Sequence, residues 1–290
     1  MHWFFYLSAL KNILQKIAIQ NDLELISSEA LFGGDINSVY RLETDKGDFV
    51  VKCNDAQKFP GMFQAEQKGL ELLRDSNSFI IPEVVANNQV ENTAYLLMEY
   101  LPSGVKSTEF WRVFGEKLAS LHKTTNANYG LDHDNYIGSL PQYNFKHTNA
   151  AEFYILQRLE PQFKMAVDKG FSFTRLEAFY TIISKEIPEE PSALVHGDLW
   201  SGNYMVSSRG NPVLIDPAVA FAPREMDLAM MQLFGGFPAE VFTVYNENYP
   251  LEYDWKNRTS LWQLYYLLVH LNLFGEGYLH QVESVLRKYK

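Results

Sequence analysis

Two aspartates and an asparagine carry the chemistry this chain could perform: Asp198, Asn203 and Asp216. The stretch Leu194-Val195-His196-Gly197-Asp198-Leu199-Trp200-Ser201-Gly202-Asn203 reads as an apolar strand running into a turn. Val213-Leu214-Ile215-Asp216-Pro217 reads as a second strand that ends on an acid. Such a layout brings two carboxylates and one amide together from neighbouring loops. That set suits phosphoryl transfer, in which one Asp orients a hydroxyl while the other Asp and the Asn hold metal on the nucleotide phosphates. Either Asp alone would be an ordinary turn residue, because Asp, Ser, Gly and Asn all favour turns for local reasons. Each standing behind a strand, the pair favours the chemical reading.

Asp198 and Asn203 are five positions apart, the Asp-to-Asn spacing of the kinase catalytic loop. Gly197 stands where that loop carries Arg, and Ile215-Asp216-Pro217 where protein kinases carry Asp-Phe-Gly. A site of this kind needs a nucleotide-holding half upstream. Val39 to Thr44 alternates in the strand manner, Asp45 to Asp48 is a turn, and Phe49-Val50-Val51-Lys52-Cys53 is another strand. Gly33-Gly34, just before, either lets the backbone approach phosphates or makes a plain hairpin turn, with Asn37 and Ser38 as extra donors. Lys52 can snorkel to solvent or reach phosphates as a point charge. Glu66 favours the second reading. It shares one face of a predicted helix over 65–74 with Leu70 and Leu73. A carboxylate on an apolar face needs a partner, because burying a lone charge is costly. Lys52 is the candidate, and Glu71, off that face, is expected in solvent.

Further elements frame these residues. Leu7, Leu10, Leu14 and Ile17 recur at helical spacing over 3–20. Pro82 to Ala86, an Asn87-Asn88 turn, and Ala94 to Tyr100 complete an expected five-stranded antiparallel sheet. Leu101-Pro102-Ser103-Gly104 breaks the pattern, which puts the expected boundary between a half spanning 1–101 and one spanning 102–290. Beyond it, Ser107 or Thr108 is the expected cap of a helix ending at His122. The long polar segment from Tyr129 to Asn144 marks a functional loop. Residues 150–186 are expected helical, with Phe153, Leu156, Leu159 and Phe163 on one face and a break near Gly170. Asp227, opening another helix, either braces the catalytic loop or suits the helix dipole. Leu264, Leu267, Leu268 and Leu271 give the last helix its packing face.

Composition excludes several classes. The chain has 290 residues, is 47 % apolar and carries a formal net charge of -10. That is long enough for two packed halves, and the acidity disfavours broad nucleic-acid binding. No apolar run is long enough to span a bilayer. The apolar start lacks a basic flank and a cleavage site, so it reads as a docking helix rather than a signal peptide. A single cysteine, Cys53, forms no intrachain disulfide and fits a reducing compartment, so the cytoplasm is expected.

These residues resemble the fructosamine kinases (ketosamine-3-kinases), a branch of the aminoglycoside-phosphotransferase-like kinases. The resemblance runs over nearly the whole chain. It rests on Val51-Lys52-Cys53, His196 to Asn203, Ile215-Asp216-Pro217-Ala218, Arg224 to Met230 and Phe234-Gly235-Gly236-Phe237. Asp134-Asn135-Tyr136-Ile137-Gly138-Ser139, with Pro141-Gln142 and Asn144, points to this branch in particular, as does Trp200. The resemblance implies a two-lobe protein-kinase-like α+β fold, with a small five-stranded N-lobe and a larger, mainly helical C-lobe. It implies ATP and Mg²⁺ as cofactors and a ketoamine acceptor, either a small molecule or a glycated protein side chain, phosphorylated on C3 and thereby deglycated. Asp198 is then the catalytic acid–base residue, with Asn203 and Asp216 on the metal. Gly33, Gly34, Asn37, Ser38, Lys52 and Glu66 serve the phosphates, and the backbone of Glu99, Tyr100 and Leu101 the adenine. Trp200, Asp134 and Asn135 are the expected acceptor-side residues, with a core aromatic as the equal alternative for Trp200. The alternatives are a phosphotransferase for aminoglycosides or choline, and a nucleotide-binding regulator without catalysis. Protein substrates would lack a docking platform, because the segment from Asp216 to Arg224 is short for an activation loop.

Overall fold

The computed structural model describes residues 2–31 and 36–289, with side chains from residue 10 onward; the expected phosphate glycines Gly33 and Gly34 lie outside the described residues. The N-terminal part consists of α1 (His2–Gln20), β1 (Leu25–Leu31), β2 (Ser38–Thr44), β3 (Gly47–Asp55), α2 (Met62–Asp75), β4 (Val84–Val90) and β5 (Thr93–Glu99). The strands form one antiparallel sheet in the order β1-β2-β3-β5-β4. β3 is thus central and covered on both faces. Successive strand residues point to opposite faces. Val51 and Cys53 therefore pack with Leu14 and Ile17 of α1, while Lys52 faces the side where α2 lies. Leu70 and Leu73 of α2 are buried on that side with Leu96 and Met98 of β5.

Two local expectations fail here. Asn87 and Asn88 are not a turn; they sit inside β4, opposite Leu96 and Tyr95. Val90 anchors the strand's end in the α1 core, and the chain reverses at Glu91, in a left-handed conformation (φ 53°). Neither Ser107 nor Thr108 caps α3 (Phe110–His122) with its side chain. The Ser107 backbone instead donates to the Gly210 carbonyl and accepts from Phe110.

After α3 come β6 (Thr125–Asn126) and a hairpin of β7 (Asn135–Ile137) with β8 (Leu140–Gln142). A helical run follows: α4 (Ala150–Phe153), a π-helical segment (Tyr154–Leu159) and α5 (Glu160–Asp168), then α6 (Leu176–Glu186). The π segment explains a missed face. Its wider turn leaves Leu156 exposed and turns Tyr154 and Arg158 inward beside Phe153, Leu159 and Phe163. Next are β9 (Ser192–Val195), the hairpin β10 (Tyr204–Val206) with β11 (Pro212–Leu214), β12 (Ala220–Ala222), α7 (Glu225–Leu233) and α8 (Ala239–Asn248). The chain ends in α9 (Trp255–Phe274), a short 3-10 turn (Glu276–Tyr278) and α10 (Leu279–Lys288). α9 buries Leu264, Leu267, Leu268 and Leu271, and also Trp262, Tyr265 and Val269 on its other sides. Such a helix is the post around which a core is built. Leu70 and Met98 share one apolar cluster with Phe114, Leu194 and Leu228, so the sheet half is fastened to the helical half through a common core.

Candidate active site

Lys52 reaches from the centre of the sheet to two carboxylates. Its Nζ lies 2.5 Å from Glu66 Oε1 and also contacts Asp216 Oδ1. Lys52 is buried. Burial alone would favour the neutral amine, but Asp216 and Glu66 outweigh it and its pKa is raised. Burial raises the pKa of Glu66 despite the facing ammonium. The face predicted for α2 thus delivers Glu66 to Lys52, and Glu71 stays exposed.

The β10–β11 hairpin sets the opposite wall. Its register pairs Tyr204 with Leu214, so Asn203 precedes one strand and Asp216 follows the other, side by side. The Ile215 N–H donates to the Asn203 carbonyl at 3.1 Å. Asp216 is left-handed (φ 55°), a conformation an Asp tolerates better than most side chains. The Asn203 amide nitrogen donates to the Asp198 carbonyl (2.8 Å) and to Asp198 Oδ2 (3.1 Å). Its Oδ1 is thereby turned away from Asp198. An amide oxygen and a carboxylate are hard donors of the kind Mg²⁺ prefers, so Asn203 and Asp216 fit that ion.

Asp198 is held from behind. Asp227, fully buried, accepts from the backbone N–H groups of His196 (2.7 Å) and Gly197 (2.9 Å). Of the two readings of Asp227, the brace is the one observed. His122 lies 3.2 Å from the same carboxylate and 2.9 Å from the Tyr245 hydroxyl; it is a packed histidine. Against burial, those donors lower the Asp227 pKa. His196 donates from Nε2 to the Ile215 carbonyl (2.9 Å) and accepts the Asp198 N–H on Nδ1 (3.3 Å). That pattern is a neutral imidazole, and burial lowers its pKa accordingly. Gly197 has φ 83°, and a Cβ there would lie 2.0 Å from the Ala218 carbonyl oxygen. This is why an Arg cannot stand at that position. Burial, with Asp216 and Asp227 nearby, pushes the Asp198 carboxyl up to about 7 against the Asn203 hydrogen bond.

These residues line one cavity of about 750 Å³, with Asn37, Lys52, Glu66, Asp198, Trp200, Asn203 and Asp216 in its wall. Trp200 is no core aromatic. It lies open to the cavity over Gly202, where a Cβ would come within 2.3 Å of the indole. Asn37 is tied by Asn54, whose amide donates to it at 3.2 Å, while Ser38 opens β2 opposite Cys53 and is exposed. Cys53 faces the α1 core, where burial pushes its thiol up to about 12.

Other expected residues lie elsewhere or are occupied. Glu99 and Tyr100 spend their N–H groups on the carbonyls of Glu83 and Asp48, and the cavity wall does not reach them or Leu101. Asp134 and Asn135 use their side chains on the scaffold. Asp134 accepts the Asn144 N–H at 2.8 Å. Asn135 donates to the Val219 carbonyl (2.9 Å) and accepts from Gln142 (2.8 Å) and Asn144 (2.9 Å). Gln142 also donates to the Ala218 carbonyl (3.0 Å) and accepts the Tyr265 hydroxyl (2.7 Å). Buried Arg158 closes the group by donating to Asn144 Oδ1 at 2.8 Å. Asn135 and Gln142 of this segment are therefore a buried clamp on the two carbonyls that follow Asp216-Pro217, while Asp132, Asp134, Pro141 and Tyr143 stay exposed. Sequence reasoning also missed Phe234, His270, Phe274 and Tyr278 in the cavity wall. The spacing of the last three, each four apart, was the available signal.

A five-stranded sheet bearing a Lys–Glu pair, set over a helical half that presents Asp198, Asn203 and Asp216, defines a kinase-like phosphotransferase. The model of the fructosamine kinase family matches residues 8–290, and the chain belongs to that family. A "Probable ketoamine kinase" of Enterococcus faecium is 38% identical over 264 residues, covering 89% of this chain and 93% of that protein. Another, from Vibrio vulnificus, is 34% identical over 270 residues, covering 91% and 93%. Among solved structures, the "Putative fructosamine-3-kinase" of Haemophilus somnus matches with a TM-score of 0.87 at 26% identity, covering 96% of this chain and 97% of that one. A spectinomycin phosphotransferase solved with ADP and spectinomycin matches with a TM-score of 0.58 at 15% identity over 95% and 92% of the two chains, a likeness of fold. The protein is an ATP-dependent phosphotransferase that acts on a sugar-derived hydroxyl. Among the described residues, no helix is long and apolar enough to cross a membrane.

Proposed function

We propose that the enzyme phosphorylates the C3 hydroxyl of ketosamines, such as ribulosamines and fructosamines, as a step in deglycation. The observation that carries this reading is Lys52 bridging Glu66 and Asp216 at the cavity that also holds Asp198. The nucleotide lies between the half spanning 1–101 and the half spanning 102–290. Lys52 positions its phosphates and Glu66 fixes Lys52. Asn203 and Asp216 would hold Mg²⁺, which neutralises charge on the phosphates when bound. Asp198 accepts the proton of the acceptor hydroxyl as its oxygen attacks the γ-phosphorus, and ADP leaves. A base raised to about 7 is matched to that transfer near neutral pH. Trp200, open at the cavity, covers a sugar face of the acceptor in this reading. The relatives named ketoamine kinases support the acceptor class. The 3-phosphate of a ketoamine is unstable and releases the amine, which is the basis for deglycation. Glycated side chains on proteins are acceptors by the same chemistry.

The test is ATP consumption over ribulosamines, fructosamines, simple sugars and an aminoglycoside, with mass detection of the product. The expected result is a phosphorylated ketoamine that then loses its amine. Turnover of the aminoglycoside with none of any ketoamine would refute the reading. Asp198→Ala, the control, should abolish transfer while ATP still binds.

A further inference from the structure

Beyond the proposed catalytic residues, the cavity carries a cluster of aromatic rings. This part of the wall is made by Trp200 on the catalytic loop, Phe234 at the end of α7, His270 and Phe274 on α9, and Tyr278 just beyond. The rings touch one another: Phe234 to His270 at 4.8 Å, His270 to Phe274 at 5.5 Å, and His270 to Tyr278 at 5.1 Å between centroids. Trp200, Phe234 and Phe274 are 38, 43 and 57 % exposed. Three large exposed apolar residues meeting at one cavity is an arrangement that marks a binding surface. Among the described residues, the Lys, Glu and Asp side chains in the cavity wall are Lys52, Glu66, Asp198 and Asp216, the residues assigned to catalysis. His270 Nδ1 donates to the Tyr266 carbonyl at 2.8 Å, and burial lowers its pKa, so the ring belongs to an uncharged aromatic cluster.

Resting on the ketosamine reading above, we infer that this aromatic end is the subsite for the substituent on the acceptor's nitrogen, and that it selects aliphatic or aromatic groups over anionic ones. The chemistry follows from the acceptor. Its nitrogen is on C1, three carbons along the chain from the C3 hydroxyl, and is a secondary ammonium near neutral pH. A cation is attracted to ring faces, and the apolar group it carries removes exposed aromatic surface from water. A carboxylate beside the nitrogen would meet no cation at this end, since Lys52 is already engaged by two acids.

The experiment compares ribose-derived ketoamines of benzylamine, butylamine and glycine on the intact protein. The readout is the ratio of kcat/KM for the benzylamine adduct over the glycine adduct, which does not depend on the fraction of active enzyme. Wild type should favour the benzylamine adduct by about tenfold, with butylamine between; Phe234→Ala and Phe274→Ala should each lower the ratio about threefold to fivefold, through KM. Equal turnover of the three adducts, or a ratio unmoved in both variants, overturns the subsite while the kinase reading stands. If wild type phosphorylates none of the adducts, the ketosamine reading falls and takes the subsite with it.

Discussion

Asp227 offers the sharpest test of how Asp198, the proposed base, is held. Its two oxygens receive the backbone N–H groups of His196 and Gly197 and face His122. Asp227→Asn keeps the shape and removes the charge. Its Oδ1 can still receive the Gly197 N–H, and its Nδ2 can donate to His122, which can change tautomer because Tyr245 can donate or accept at Nδ1. The His196 N–H then faces an NH₂ group at a position where the carboxylate accepts at 2.7 Å. An orphaned buried N–H costs about 1–3 kcal/mol, and replacing the charged acceptor of the other bond about 1 kcal/mol more, so the expected loss is about 3 kcal/mol. Urea unfolding followed by tryptophan fluorescence should show a lower midpoint with an unchanged slope. Because the folded carboxyl's pKa is lowered, its contribution is full above the unfolded value of about 4 and is lost as pH falls through the lower folded one. The gap between wild type and variant should therefore narrow below about pH 4. Catalysis should suffer more than binding: a shift of about 1 Å in Asp198 is enough for a loss near 100-fold in kcat. A stability change under about 1 kcal/mol together with kcat within about threefold of wild type would refute the brace.

Three further outcomes follow from the same geometry. The kcat/KM profile should rise with pH through about 7 as Asp198 ionises, and steady-state rates from pH 5.5 to 8.5 check it; a flat profile over that range counts against Asp198 as the base. Gly197→Ala drives a Cβ against the Ala218 carbonyl in a left-handed backbone, so chemical unfolding should show a loss of more than about 2 kcal/mol. Gln142→Leu leaves the Ala218 carbonyl and the Tyr265 hydroxyl without their partner, costing about 2–4 kcal/mol. It should also raise the Mg²⁺ concentration needed for half-maximal rate, because the segment after Asp216 is no longer clamped; an unchanged Mg²⁺ requirement would confine Gln142 to a structural role.

What the sequence disclosed and what it hid divide along a physical line. The helical period of α2 was enough to join Glu66 to Lys52, because it puts a carboxylate on an apolar face that needs a partner. Of the hairpin that aligns Asn203 with Asp216, only the strand before Asp216 was legible and β10 was not. The segment from Asp134 to Asn144 was not either. Its polarity reads as a functional loop until Arg158, brought inward by a π-helical turn, and Tyr265 on α9 supply the partners of its buried amides. Asn87-Asn88 misled in a similar way. Their turn preference yields to strand pairing with β5, because tertiary pairing overrides local propensity. The aromatic end of the cavity is assembled from α7, α9 and the turn after it, and no single stretch announces it.

The polar scaffold has a consequence for how this site can be exact. Apolar packing is non-directional, so the shared core can fasten the two halves without fixing the angle of one carboxylate. Hydrogen bonds are directional, and the loops carrying Asp198 and Asp216 are held by them from opposite sides. Asp227 grips the amides before Asp198; Gln142 and Asn135 grip the carbonyls after Asp216. His196 links the two loops, with its ring on the Ile215 carbonyl and its own carbonyl on the Ala218 amide. A displacement on either side is therefore passed to both carboxylates. A buried network of this kind rigidifies when every member is satisfied and fails when one is removed. Substitutions at Asp227 and Gln142 should accordingly be non-additive. If the double variant lost no more kcat than the worse single one, the two grips would act on one shared geometry; full additivity would mean that each loop is positioned independently.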